Sequence, residues 1–117
     1  MKAQRLWGPE FTAPQDALRW LTAVQAQEFA YARWSLAQRT RRPDAGSVDR
    51  AFDEGRILRT HVLRPTWHFV APQDLRWLIR LSGPRVNMVN ARRYGELGLD
   101  AKTLARANDV IAGALAV

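Results

Sequence analysis

The stretch Arg56–Val70 constrains this chain most, because hydrophobic spacing changes there from a helical period to alternation. Arg56 to Val62 and Thr66 to Val70 read as two strands joined at Leu63-Arg64-Pro65. Successive side chains on a strand face opposite ways, so Trp67 and Phe69 fall on one side and Thr66, His68 and Val70 on the other.

Helix signals precede this hairpin. Thr12-Ala13-Pro14-Gln15-Asp16 combines a capping hydroxyl, a proline suited to the first turn and an aspartate that complements the helix dipole, and Leu18 and Leu21 follow one turn apart. A second helix is predicted from about Glu28 to Gln38, with Phe29, Ala32, Leu36 and Trp34 as packing residues, stopped by Arg39 to Pro43. Ser47 is the expected cap of a third, Val48 to Glu54, in which Val48, Ala51 and Phe52 share a face and Gly55 supplies a left-handed end. Three helices and a hairpin are the element order of a winged helix-turn-helix, with the Arg64 turn as the wing.

Beyond the hairpin, Ala71-Pro72-Gln73-Asp74 starts another helix and Gly83-Pro84 is expected to break it. A further helix should run to about Tyr94, and Asp100 should start the last. The fold class is therefore mainly α with a small β-hairpin, a winged helix-turn-helix followed by additional helices. Residues 1–82 are read as the winged-helix domain and 83–117 as a helical extension that begins a further domain cut short here. The apolar run Val110–Val117 lacks a helix stop, which predicts packing against later chain or against a partner such as a second copy.

Composition narrows the function classes. A chain of 117 residues can bury one core, and 47% hydrophobic with 25% charged residues is a globular mixture. Without cysteine there is no disulfide framework, thiolate zinc site or cysteine nucleophile. No apolar run suffices for a bilayer and the N-terminus lacks a secretory pattern, so a cytoplasmic, nucleoid-associated location is expected and no membrane partner. The net charge of +7 is carried almost entirely by arginine, which binds phosphate bidentately and so suits a polyanion.

In Leu21-Thr22-Ala23-Val24-Gln25-Ala26-Gln27, a continued helix would put Gln25 under the stripe of Leu18 and Leu21. Gln27 would then lie about 200° around the helix, so one unbroken helix cannot aim both amides at one ligand. Either the helix ends near Val24 and the amides cooperate near that end, facing one concave basic surface, or Gln25 caps a neighbouring helix and Gln27 is solvated.

The segments Ala23-Val24-Gln25-Ala26-Gln27, Ala32-Arg33-Trp34, Val48-Asp49-Arg50-Ala51, Arg59-Thr60 and Thr66-Trp67-His68-Phe69-Val70-Ala71-Pro72, in that order and spacing, resemble the first winged helix of the AlkZ/YcaQ-like family of bacterial alkyl-DNA glycosylases. The resemblance spans most of the chain. It implies hydrolysis of the N-glycosidic bond of alkylated bases or crosslinks in double-stranded DNA, with Gln25 and Gln27 as the family's catalytic Gln-x-Gln pair. It also marks Thr66, Trp67 and His68 as a family segment. Ala26 stands where crosslink-active members usually carry a bulkier apolar residue.

The chemistry accords with these residue types. Breaking an N-glycosidic bond passes through an oxocarbenium-like sugar, and a cationic alkylated base leaves readily, so an oriented water and a dipole matter more than a strong base. A glutamine carbonyl can hold that water. Glu28, next in sequence, is a conceivable base.

The cations indicate how DNA would be held. The third helix carries Asp49, Asp53 and Glu54 against Arg50, which disfavours sequence-specific reading of a major groove. Arg56, Arg59 and Arg64 on the hairpin, with Arg39, Arg41 and Arg42 before the third helix, are the expected phosphate contacts, Arg59 and Arg64 foremost. Spacing predicts core packing for Trp20, Trp34 and Trp77. His61 and His68 lack further ligands at diagnostic spacing, so no metal and no cofactor is expected, and His68 reads as a hydrogen-bonded structural histidine. A non-catalytic winged-helix module that binds DNA or protein is the alternative.

Overall fold

A computed structural model describes residues 3–8, 10–64 and 66–116. Among them are helices α1 (Pro14–Leu21), α2 (Phe29–Ala37), α3 (Ala45–Asp53), α4 (Pro72–Glu96) and α5 (Ala101–Leu115), and strands β1 (Ala23–Gln25), β2 (Leu58–His61) and β3 (Trp67–Val70). The sheet is antiparallel with order β1-β3-β2. The fold is mainly α and winged-helix-like, with a three-stranded sheet where the sequence suggested only a hairpin.

The added strand follows a helix stop. At Thr22 the backbone turns to φ 67°, a left-handed value uncommon for a β-branched residue, and the chain leaves α1 extended. Other boundaries follow local chemistry. Pro14 and Pro72 open their helices, Gly55 adopts φ 68° after α3, and Asp100 caps α5 by accepting from Thr103 N at 2.7 Å. The cap of α3 is Asp44, not the expected Ser47: its carboxylate accepts from Gly46 N, while Ser47 Oγ donates to the Asp44 carbonyl.

Both faces of the sheet are covered. On one lies a core of Ala17, Leu18, Leu36, Val48, Ile57 and Phe69, with several alanines that let the helices approach closely. Phe69 meets Phe29 and Phe52 edge-on there. On the other face Val62, Val70 and Leu78 form a smaller cluster. The alternation expected for β3 holds, because Phe69 joins the first cluster and Val70 the second.

Contacts divide the chain between Gly83 and Pro84. Helix α4 includes Pro84, so Gly83-Pro84 does not end it as expected. A proline inside a helix removes one backbone hydrogen bond and crowds the preceding turn without having to stop the helix. In the second unit α5 buries no residue, and Val110, Ile111 and Leu115 are exposed. No helix among the described residues is long and apolar enough to cross a membrane. Pro65 of the expected wing turn and Val117 lie outside the described residues.

Candidate functional site

The site begins with β1. Its register on β3 is Ala23 opposite Val70, Val24 opposite Phe69 and Gln25 opposite His68. One residue further, Ala26 N donates to the Trp67 carbonyl at 2.8 Å, so the chain stays tied to β3. Ala26 is fully buried in the first core, while Gln25 and Gln27 on either side of it are exposed. Gln25 ends the strand, and the chain bends at Gln27 before α2 begins. Gln25 is thus not on a helix beneath the stripe of Leu18 and Leu21, and the angular separation that a helix would impose does not arise.

Gln25 and Gln27 line one open concavity of about 480 Å³, together with Glu28, Tyr31, Ala32 and Ser35. The last four are spaced i, i+3, i+4 and i+7, one face of α2 and its N-cap. That spacing was the signal by which Tyr31 and Ser35 could have been found from sequence. The expected basic surface is absent from this lining, which among the described residues contains no arginine or lysine and one carboxylate, Glu28.

The hairpin reaches the same segment from behind. The Arg59 guanidinium donates from Nε to the Ala26 carbonyl at 3.1 Å and from Nη2 to the Gln27 carbonyl at 3.2 Å. It lies 4.5 Å over the Trp67 ring and 5.7 Å from Phe29, and His61 stacks on Trp67 at 4.0 Å. Gln27 Oε1 is 3.5 Å from Trp67 N, at the outer limit of a hydrogen bond. His68 is buried, and its Nδ1 lies 2.9 Å from the Thr66 carbonyl. A carbonyl only accepts, so Nδ1 carries the proton. Thr66 Oγ1 is buried without a partner among the described residues.

The six arginines read as phosphate contacts are differently placed. Arg39 is buried rather than exposed on a basic corner: its guanidinium donates to the Gln4 carbonyl at 2.9 Å, to Ser35 Oγ at 2.9 Å and to the Ser35 carbonyl, and desolvation lowers its pKa. Arg41 is exposed, with Nε donating to the Glu10 carbonyl, and shares a second concavity with Thr12 and Arg42. Arg56 pairs with Glu54. Arg59 faces the Ala26 and Gln27 carbonyls. Arg42 and Arg64 are exposed, and their side chains make no ion pair or hydrogen bond among the described residues.

Charge on α3 is partly neutralised, because Arg33 of α2 donates to both carboxylate oxygens of Asp49 at 3.0 and 2.9 Å, and Arg50 pairs with Asp44. The tryptophans expected inside are not there: Trp20, Trp34 and Trp77 are 54%, 47% and 45% exposed. Arg5 lies over Trp20 at 4.3 Å, and Trp77 Nε1 donates to Asp74.

A family model described as DNA glycosylase AlkZ-like matches residues 18–117. The solved structure of Streptomyces sahachiroi DNA glycosylase AlkZ superposes with a TM-score of 0.80 at 24% identity, over 98% of this chain and 31% of that one. The chain thus spans about a third of the glycosylase whose fold it shares. No curated protein gives a significant match.

Proposed function

Because the chain belongs to the AlkZ-like DNA glycosylase family, we propose that it acts on double-stranded DNA and hydrolyses the N-glycosidic bond of an alkylated base. Gln25 and Gln27 are the residues that orient the attacking water. The observation that carries this reading is the Gln25-Ala26-Gln27 segment at the end of β1, with Ala26 in the core and both glutamines on one concavity.

In this reaction the water oxygen bonds to the anomeric carbon and the carbon–nitrogen bond breaks. Its electron pair leaves with the base, which is neutralised as it departs if alkylation had made it cationic. An amide accepts a hydrogen bond from the water without taking its proton at neutral pH. The proton passes to solvent or to Glu28, the carboxylate in the same lining. Arg42 and Arg64, exposed and unpaired among the described residues, hold backbone phosphates and so position the duplex without reading its sequence. The acidic side chains of α3 accord with that absence of sequence reading.

The test is base release from a duplex carrying N7-alkylated guanine, comparing the native chain with Gln25→Ala/Gln27→Ala. The expected result is release by the native chain and a loss of roughly 100-fold or more in the double variant. No release, with salt-sensitive duplex binding retained, would refute hydrolysis and leave a non-catalytic DNA-binding module.

A further inference from the structure

We propose that Arg59 is a positioning residue, a clamp that fixes the geometry of Gln25 and Gln27 from behind rather than a phosphate contact; its catalytic consequence rests on the glycosylase reading above.

The argument starts from what regular structure leaves unheld. Strand β1 ends at Gln25 and α2 begins at Phe29, so Ala26, Gln27 and Glu28 belong to neither. Among the described residues, Ala26 N is tied to the Trp67 carbonyl, and the carbonyls of Ala26 and Gln27 are both taken by Arg59. One planar guanidinium thus spans two consecutive peptide groups, which restrains the torsions between them. A lysine ammonium could replace the charge but not this rigid two-donor fork.

The fork is itself held. Arg59 projects from β2 opposite Phe69, and its guanidinium lies over Trp67 with Phe29 nearby. His61 stacks on the same indole. Trp67 also carries the carbonyl that accepts from Ala26 and the N–H nearest Gln27 Oε1. Hairpin and glutamine segment therefore share one network centred on Arg59 and Trp67. Two of the five N–H donors and one face of the guanidinium are thus committed to the protein itself.

The two roles predict different results. A phosphate contact, once removed, weakens duplex binding and lowers its salt dependence by about one unit of slope. A clamp, once loosened, lets Gln27 move relative to Gln25 and leaves binding alone. Displacement of about 1 Å at a reacting centre can cost on the order of 100-fold in rate.

The experiment compares the native chain with Arg59→Lys and Arg59→Ala by backbone ¹⁵N relaxation, duplex binding across a salt series and single-turnover base release. Thermal melts establish that each variant is folded. For Arg59→Lys the expected result is a fall of order parameters at Ala26, Gln27 and Glu28 from about 0.85 towards 0.6, confined to that segment. Duplex affinity and salt slope should be unchanged even in Arg59→Ala, which removes the cation, and in both variants the rate of release at saturation should drop roughly 10- to 100-fold. Free methylguanidinium should restore part of the rate of Arg59→Ala. Unchanged order parameters in both variants, or a reduced salt slope in Arg59→Ala, which removes the cation, would overturn the clamp. If the native chain releases no base while the order parameters still respond, the clamp stands and the glycosylase reading falls.

Discussion

Replacement of Phe69 by leucine tests whether the aromatic cluster beneath the sheet holds this fold together. Phe69 is fully buried at the centre of β3, the strand that pairs with both β1 and β2. Its ring meets Phe29 at 5.7 Å and 88° and Phe52 at 5.4 Å and 65°. Each such edge-on pair contributes about 0.5–1.5 kcal/mol beyond the area it buries. Leucine keeps most of the apolar bulk and loses both pairs, so Phe69→Leu should cost about 1–3 kcal/mol. At about 4–8 °C per kcal/mol for a domain of this size, the midpoint should fall by roughly 5–20 °C. All five tryptophans precede Gly83, so fluorescence-detected melting follows the first unit alone. A double-mutant cycle with Phe29→Leu should return a coupling of about 0.5–1.5 kcal/mol. A midpoint shift under about 3 °C, or no coupling, would show that the ring contacts do not stabilise the sheet.

Further outcomes follow from charges outside the concavity. The Gly46 N–H, and then the Arg50 side chain, hold the Asp44 carboxyl below its ordinary pKa. Its contribution is therefore present above the unfolded-state pKa and lost as pH falls through the lower folded value. Asp44→Ala should melt below the native chain at neutral pH, with the gap closing under acid; a gap that persists at low pH would exclude the cap as its cause. For Arg39→Met, thermal melting should show a loss of about 1–3 kcal/mol from the abandoned Gln4 and Ser35 carbonyls. Salt titrations of duplex binding should leave its slope at the native value, whereas Arg42→Ala and Arg64→Ala should each lower the slope by about one. A lowered slope in Arg39→Met would show that the buried guanidinium reaches DNA after all.

Much of the fold was legible because its signals are local. Proline at the starts of α1 and α4, glycine after α3 and Asp100 before α5 act within a turn of where they stand. The hairpin was legible through its alternation, and its strands came out as Leu58–His61 and Trp67–Val70 within the longer expected ranges. Strand β1 was not. It has only three residues, its helix stop is a threonine rather than glycine or proline, and its hydrogen-bonding partner is β3, far along the chain. The same non-locality hid the place of Arg39, whose acceptors include the Gln4 carbonyl, and of Arg59, whose acceptors lie across the sheet. Side-chain type named these residues as cations, and only tertiary packing distinguished the exposed from the enclosed.

The end of strand β1 also explains how glutamines separated by one residue can line one concavity. A helix would have turned the second amide about 200° from the first, and a central strand would have committed both backbone edges to neighbours. An edge strand needs a partner on one side only, so it can end after Gln25 and pass directly into the start of α2. Ala26 anchors that junction from the core side, and the exposed face of α2 closes the concavity on the other. The exposed glutamines bear little of the packing, whereas Ala26 and Phe69 bear much of it. Substitutions at Gln25 and Gln27 should therefore leave the melting temperature near the native value, and a loss of base release in those variants would report on chemistry rather than folding.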